Sequence, residues 1–490
     1  MDITEILDFE TRKMLEILKS LQKQSKELSL KKLADELAVH VKTAVKYVGK
    51  LQQLIGEYHL KQQLILSVHK RDTLSLEMEN PWYLERLRTC LIQRAPETMI
   101  LDKVIHSSFT TRELSMYLGE SEPQVKKRLT KIRRWLQPLR LTLRRNTLEL
   151  IGDEIQLRVF IHQFHQVCSY HMDKDMISFS SEREEAERLS RKIILFFHMR
   201  LNYLQEQQLS SLILIQQIRV NRRKTAAVSE PLKNYCLNST LYSSLTAQLK
   251  AGGKGKLSAE EYMYLFLMVQ SKFSENFSQG LKEKFIYENY LNRTTAYIQA
   301  AYGAQLLKNS FKEQEFLFDK HVYTSLLSFH LYYELTHFLL YEDISLFKQL
   351  LTTYPVLFYK LNKGFRKTLK ENVHFQRMTK AQLFFRYFFI FSEMLSPVLL
   401  EPPKNIYLVL DWGPEQRRYL VKAISAHFRN RKNIRFVEGK IYSEYKNASV
   451  ILTTSIHPFF IEQEINCPVL MITQLQEDTV LKQLERILSD

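Results

Sequence analysis

One pattern is written twice in the first 154 residues, and it limits the folds open to this chain more than any other feature. The first copy opens with Ile3–Gln24, a stretch with apolar residues at 3, 6, 7, 14, 17, 18 and 21, the spacing of a helix. "LSLKKLADELAVHVKTAVKYVGKLQQL" follows. Ser29 is placed to cap a short helix running to about Leu37, "AVH" makes a tight turn, and Val41–Leu54 reads as a second helix. Val41, Val45, Val48 and Leu51 are expected inward, with Lys42, Thr43, Lys46 and Lys50 outward. "QQLILSV" and "TLSLEM" then flank "HKRD", a β-hairpin pattern with Arg71 at its tip.

The second copy is "TTRELSMYLGESEPQVKKRLTKIRRWL". It predicts a capped helix from Thr110 or Thr111 to Leu118, a turn at "GES", and a helix over 122–136 with Pro123 in its first turn. That last helix carries six Lys/Arg in fifteen positions, yet Val125, Leu129, Ile132 and Leu136 keep helical spacing. One face is therefore apolar and the other strongly basic. "LRLTLRRNTLELIG" alternates around "RRN", a second hairpin with Arg144 and Arg145 at the tip.

Two short helices joined by a tight turn and followed by a hairpin make the winged helix-turn-helix arrangement, whose second helix enters the major groove of double-stranded DNA. Lys126, Lys127, Lys131 and Arg134 suit phosphates, where neutralisation releases counterions. Gln124, Thr130 and Thr43 are short polar groups suited to base edges, and Lys42 and Lys46 suit either task. Arg71, Arg144 and Arg145 are candidates for phosphate or minor-groove contacts. Docking of another protein is the competing use of such a module.

Only twelve glycines and twelve prolines interrupt 490 residues, so long helices are the expected material elsewhere. Hydrophobic content of 45% supplies packed cores and excludes wholesale disorder. The net charge of +17 favours an anionic partner, but it is spread as +6 over residues 1–154, +9 over 155–402 and +2 over 403–490. Cys90, Cys168, Cys236 and Cys467 form neither CxxC nor a zinc-type cluster, which fits a reduced, cytoplasmic protein. The acidic "MDITEILDFE" is unlike a secretory signal. Charged or polar residues interrupt the apolar tracts 326–341 and 381–400, so no membrane span is expected. GxGxxG, Walker, GxSxG and HExxH motifs are missing, so the chain is expected to be no enzyme and to need no cofactor.

From Glu154 to about Leu400 helical patterns follow one another, with linkers at 221–231, 251–256 and 396–404. "LSAEEYMYLFLMVQSKF" (257–273) matches "MTKAQLFFRYFFIFSEM" (378–394) in apolar pattern at an offset of 121, which reads as two duplicated helical bundles. His162, His165 and His171 share a helix without an acidic ligand at fixed spacing, so no metal site is expected there. The last 88 residues alternate strands ("NIYLVLD", "NIRFVEG", "ASVILTTS", "CPVLMIT") with helices at about Pro414–Phe428 and at "DTVLKQLERIL". This is the pattern of a small parallel α/β sheet.

This order of modules resembles the Mga/AtxA-type transcription regulators of virulence in Gram-positive bacteria, along essentially the whole chain. The resemblance implies a mainly α, multidomain fold: winged helix-turn-helix modules at 1–79 and 80–153, helical phosphotransferase regulatory domains (PRDs) at 154–280 and 281–402, and a IIB-like α/β domain at 403–490. It further implies a homodimer tuned by proteins of the sugar phosphotransferase system. His198, His330 and His374 then become candidates for phosphorylation. The phosphoryl-accepting cysteine of a IIB fold follows its first strand, where this chain has Asp411-Trp412-Gly413-Pro414; Cys467 opens a later strand. A IIB-type phosphocarrier and a PRD-containing RNA-binding antiterminator are the alternatives. The missing cysteine weighs against the first and the helical N-terminus against the second.

Overall fold

The computed structural model describes the chain except for residues 1–2, 24–26, 70–71, 170–179, 252–256, 312–319, 338–343, 373–374, 376–377, 439–444, 456–464, 466, 473–476 and 490. Arg71, His171 and His374 lie outside the described residues. The chain forms two units, Met1–Ile298 with Leu327–Tyr341, and Gln299–Leu326 with Glu342–Asp490.

The first unit begins with α1 (Phe9–Lys23), β1 (Leu28–Ser29), α2 (Leu30–Glu36), α3 (Val41–Glu57), β2 (Leu64–His69) and β3 (Thr73–Met78). The hairpin β2–β3 takes β1 on its other side, giving the antiparallel order β1-β3-β2 with Leu66 opposite Leu76 and Leu28 opposite Leu74. Ile17, Leu18, Leu33, Leu51, Leu74 and Leu84 fill the core beneath it. Ala38 takes a left-handed φ of 51° in the turn between α2 and α3. The seam of α3 differs from the sequence expectation. Val41 and Val45 are exposed, while Ala44, Tyr47, Val48, Leu51 and Ile55 face the core. The buried stripe is rotated because the Tyr47 ring fills volume that a valine cannot, and a small alanine lets α3 lie close to its neighbours.

The chain continues through α4 (Pro81–Arg94), α5 (Pro96–His106), α6 (Thr111–Leu118), α7 (Glu122–Leu136), β4 (Thr142–Leu143), β5 (Leu150–Ile151) and α8 (Glu154–Ser169). Then come α9 (Ser180–Phe197), α10 (Tyr203–Asn221), α11 (Glu230–Asn238), α12 (Thr240–Lys250), α13 (Ala259–Phe273) and α14 (Gln279–Leu291). The boundary between units falls within α15 (Thr295–Ser310) and α16 (Lys320–Thr336).

A buried polar network fastens α8 to α10 and α13. Arg158 and Glu261, each 1% exposed, make two parallel bonds of 2.7 and 2.9 Å. Gln216 and the Ala226 amide donate to the same carboxylate, and Arg219 grips Glu154 at 2.9 and 2.7 Å. Every oxygen of Glu261 is thus used, the condition under which a buried ion pair is tolerable.

The second unit adds α17 (Ile344–Thr353), α18 (Pro355–Glu371), α19 (Lys380–Met394), β6 (Lys404–Val409), α20 (Pro414–Phe428), β7 (Ile434–Glu438), β8 (Val450–Thr453), β9 (Val469–Met471) and α21 (Glu477–Ser489). Its helices pack through aromatic rings, Phe365 meeting Tyr387 edge-on at 5.1 Å. Gly303 is required there, because a Cβ would come within 2.1 Å of the Tyr387 hydroxyl. The strands form a parallel sheet in the order β7-β6-β8-β9 over a core that includes Ile406, Ile424, Val450, Leu452 and Leu484. Asp411–Pro414 join β6 to α20, and Cys467 lies at a bend before β9.

The matched segments at offset 121 are both helices, α13 and α19. Each starts on a hydroxyl cap: Ser258 accepts from the Glu261 amide and Thr379 from the Gln382 amide. Among the described residues, three other helices are capped from far along the chain. Glu288 accepts from the amides of Thr240 and Leu241 at the start of α12, Glu334 from Ala296 in α15, and Glu401 from Val356 and Leu357 in α18. A side-chain carboxyl at these positions satisfies orphan amides.

Candidate nucleic-acid interface

The turn between α6 and α7 is determined residue by residue. Thr110 and Glu113 form a reciprocal capping box, in which Glu113 accepts from the Thr110 amide at 2.7 Å and Thr110 Oγ1 accepts from the Glu113 amide at 3.2 Å. Those bonds hold the Glu113 carboxyl below its ordinary pKa. Gly119 ends α6 at φ 65°, in the left-handed region where a side chain is strained. The Gln124 side chain accepts from the amide and hydroxyl of Ser121, both at 3.1 Å. Gln124 therefore caps α7 in this structure instead of reaching outward.

Val125, Leu129, Ile132 and Leu136 are all buried along one side of α7. On its flank, Arg128 grips Glu120 with two bonds of 2.8 Å and Glu97 of α5 with a third of 2.7 Å. Burial alone would lower the pKa of this guanidinium, but Glu120 and Glu97 outweigh it and raise it. Arg128 is thus a strut that fixes the angle between α5 and α7. Lys131 is also drawn inward, and its ammonium donates to the Leu7 carbonyl at 2.8 Å. Burial pushes its pKa down.

The outward strip that remains is Lys126, Lys127, Thr130 and Arg134, all exposed. Lys126 lies 3.7 Å from Glu122, and Thr130 Oγ1 donates to the Lys126 carbonyl. Lys127, Thr130 and Arg134 line an open groove of ≈ 720 Å³ together with Gln124, Arg128, Lys131, Asp8, Phe9 and Glu97. A second groove of ≈ 440 Å³ shares Thr130 and Arg134 and adds Arg133, Gln137, Arg140 and Thr142. Sequence periodicity missed Arg133 and Arg140, since neither falls on the outward stripe of α7. Their only signal was the overall density of arginine.

The hairpin β4–β5 follows at once. The Arg144 amide donates to Glu149 and the Leu148 amide to Arg144, leaving Arg144 and Arg145 exposed at the turn. Arg144 lies 3.5 Å from Glu149, which also binds Lys224 at 2.9 Å. Arg133 Nε donates to the Leu143 carbonyl and couples the hairpin to α7.

The first copy presents a different face. Lys42 and Lys46 are exposed on α3, Thr43 is half-buried, and Lys50 is paired with Glu10 of α1. Exposed Val41 and Val45 lie beside the two lysines, so this surface is more apolar than that of α7.

Of the histidines, His198 is exposed just past the end of α9, with φ 46°. His330 is 2% exposed within α16, with its ring 4.9 Å from that of Phe329. His162 is buried, and burial drives its pKa well down.

A two-helix unit with a tight αL turn, an amphipathic second helix and an adjoining hairpin defines a helix-turn-helix DNA-binding module. Residues 83–165, from within α4 to within α8, match the Mga helix-turn-helix domain family, and the match contains all of α6 and α7. This is a non-catalytic, DNA-binding kind of regulatory domain. No curated protein matches the chain. Among the described residues, no helix is long and apolar enough to cross a membrane.

Proposed function

We propose that the chain is a transcription regulator of the Mga/AtxA type that binds double-stranded DNA with two winged helix-turn-helix modules, residues 1–79 and 80–153. The observation that carries the reading is the strip Lys126, Lys127, Thr130 and Arg134 on the second helix of the matched domain. Lys127 and Arg134 contact phosphates, Thr130 reads a base edge, and Arg144 and Arg145 reach the flanking backbone. The exposed valines of α3 suit thymine methyl groups, with Lys42 and Lys46 beside them on phosphates. The reading extends to a cytoplasmic homodimer with PRD-like bundles at 154–280 and 281–402 and a IIB-like domain at 403–490. Phosphotransferase-system proteins act on His198, the accessible candidate among the described histidines.

Duplex binding measured by fluorescence anisotropy over a salt series tests the central claim. Replacing Lys127 and Arg134 by alanine should weaken binding to every sequence and flatten the log–log salt slope by about two. Both side chains are exposed, so the melting temperature should hold. Unchanged affinity and slope would return α7 to solvated surface or protein docking.

A further inference from the structure

We infer that Asp102, His106 and His165 form a binding site for a divalent transition-metal ion of the zinc class, linking α5 to α8. Asp102 and His106 are one turn apart on α5, with His106 Nε2 4.0 Å from Asp102 Oδ1. The imidazole of His165, on α8, stacks on that of His106 with centroids 5.4 Å apart and planes at 22°. One donor atom from each of the three residues lies within 4.8 Å of the others. His165 is 8% exposed, and its Nδ1 has no hydrogen-bond partner. An orphaned ring nitrogen this deep is unfavourable unless something binds it.

The acidic partner that α8 lacks along its own sequence is supplied by α5. Two imidazoles and one carboxylate suit Zn²⁺ or Co²⁺ and leave a fourth position open. Bonds of about 2.1 Å require donors about 3.4 Å apart, so side-chain rotations must draw the three together. Asp102 also faces a cavity of ≈ 310 Å³ lined by Arg94, Thr98, Phe164 and Cys168. Burial disfavours the charged form of all three groups, lowering the pKa of both imidazoles and raising that of the Asp102 carboxyl. Three cations lie nearby, each with a contact of its own: Arg94, on the same cavity, pairs with Glu57. The Lys103 ammonium lies 4.8 Å over the Tyr117 ring, and Arg222 donates to the Ile105 carbonyl at 3.2 Å.

The test is calorimetric titration of chelator-stripped, full-length protein with Zn²⁺, together with the visible absorption of its Co²⁺ form. One ion per chain should bind, raise the melting temperature and, as Co²⁺, give the intense bands of a low-coordinate site. Asp102→Asn and His165→Gln should each lower affinity at least tenfold, while the exposed His69→Gln leaves it unchanged. Asp102→Asn sits on the cavity wall and carries the comparison if the buried His165 variant does not fold. No binding by the wild-type protein, or equal binding by the wild type and the ligand variants, overturns the site.

Discussion

Lys127 and Lys131 are four residues apart on α7 and have opposite fates. One is exposed; the other reaches back to the Leu7 carbonyl, where burial lowers its pKa. Charge counting along a helix treats them alike, because it cannot see the segment before α1 lying over that turn. Glu334 is a second residue whose surroundings set its chemistry. Burial raises its carboxyl to about 7, against the lowering effect of its bonds to Thr295 and Ala296. The folded-state value lies above the unfolded one, so the protonated form is the stabilised one. That contribution is complete below about pH 4.5 and is lost as pH rises through about 7, a change on the order of 3 kcal/mol. Glu334→Gln keeps a neutral group at every pH. Its melting temperature relative to wild type should therefore climb between pH 5 and pH 8, and a constant difference would mean that Glu334 ionises normally.

Among elements, the α8–α10–α13 network is the most exacting. Glu261→Ala would strip the buried Arg158 guanidinium of two bonds, leaving it only the carboxylate of Glu154, which Arg219 also grips, and should destabilise by about 3 kcal/mol in denaturant unfolding. Pairing Arg158→Met with Glu261→Leu should recover part of that loss. Recovery stays incomplete because Gln216 and the Ala226 amide lose their acceptor as well. A loss below about 1 kcal/mol for the single variant would show that water reaches the site. Much of the element structure was legible in the chain. Val125, Leu129, Ile132 and Leu136 announced the seam of α7, Gly119 and Pro123 marked its turn, and Pro414–Phe428 gave the bounds of α20. The seam of α3 was misread because a valine pattern carries no information about the volume that Tyr47 fills. The Asp102–His106–His165 cluster was hidden for another reason: its members are on two helices, and spacing rules act only along one.

For the molecule as a whole, residues 403–490 have their own sheet and core. Removing them should leave the helical circular-dichroism signal and DNA binding of residues 1–402 intact. Edge strand β9 exposes Val469 and Met471, a surface suited to pairing between copies, so the truncated chain should sediment closer to monomer. A truncated protein that remains fully dimeric moves the interface elsewhere. If the chain is the homodimer proposed above, His198 is a second lever on its assembly. A phosphoryl group there would bring about −1.5 to −2 charges to the carboxyl end of α9, where the helix dipole is already negative. His198→Asp should shift the monomer–dimer ratio or DNA affinity, whereas His198→Asn, which tolerates the left-handed backbone, should not. If the two variants behave alike, charge at this position has no regulatory effect.

The distant carboxylate caps bear on how the chain comes off the ribosome. The start of α12 waits for Glu288, that of α15 for Glu334 and that of α18 for Glu401, which lie 48, 38 and 45 residues downstream. At synthesis rates of about 5–20 residues per second, each helix emerges roughly two to ten seconds before the residue that completes its first turn. During that interval its leading amides are satisfied by water, so the helical middle cannot close strictly in the order in which it is made. Each helix is finished from behind, when a later segment arrives and docks. A translational pause at about residue 300, with α12 clear of the exit tunnel but Glu288 still inside it, would therefore catch α12 frayed, whereas one well past residue 330 would find it sealed.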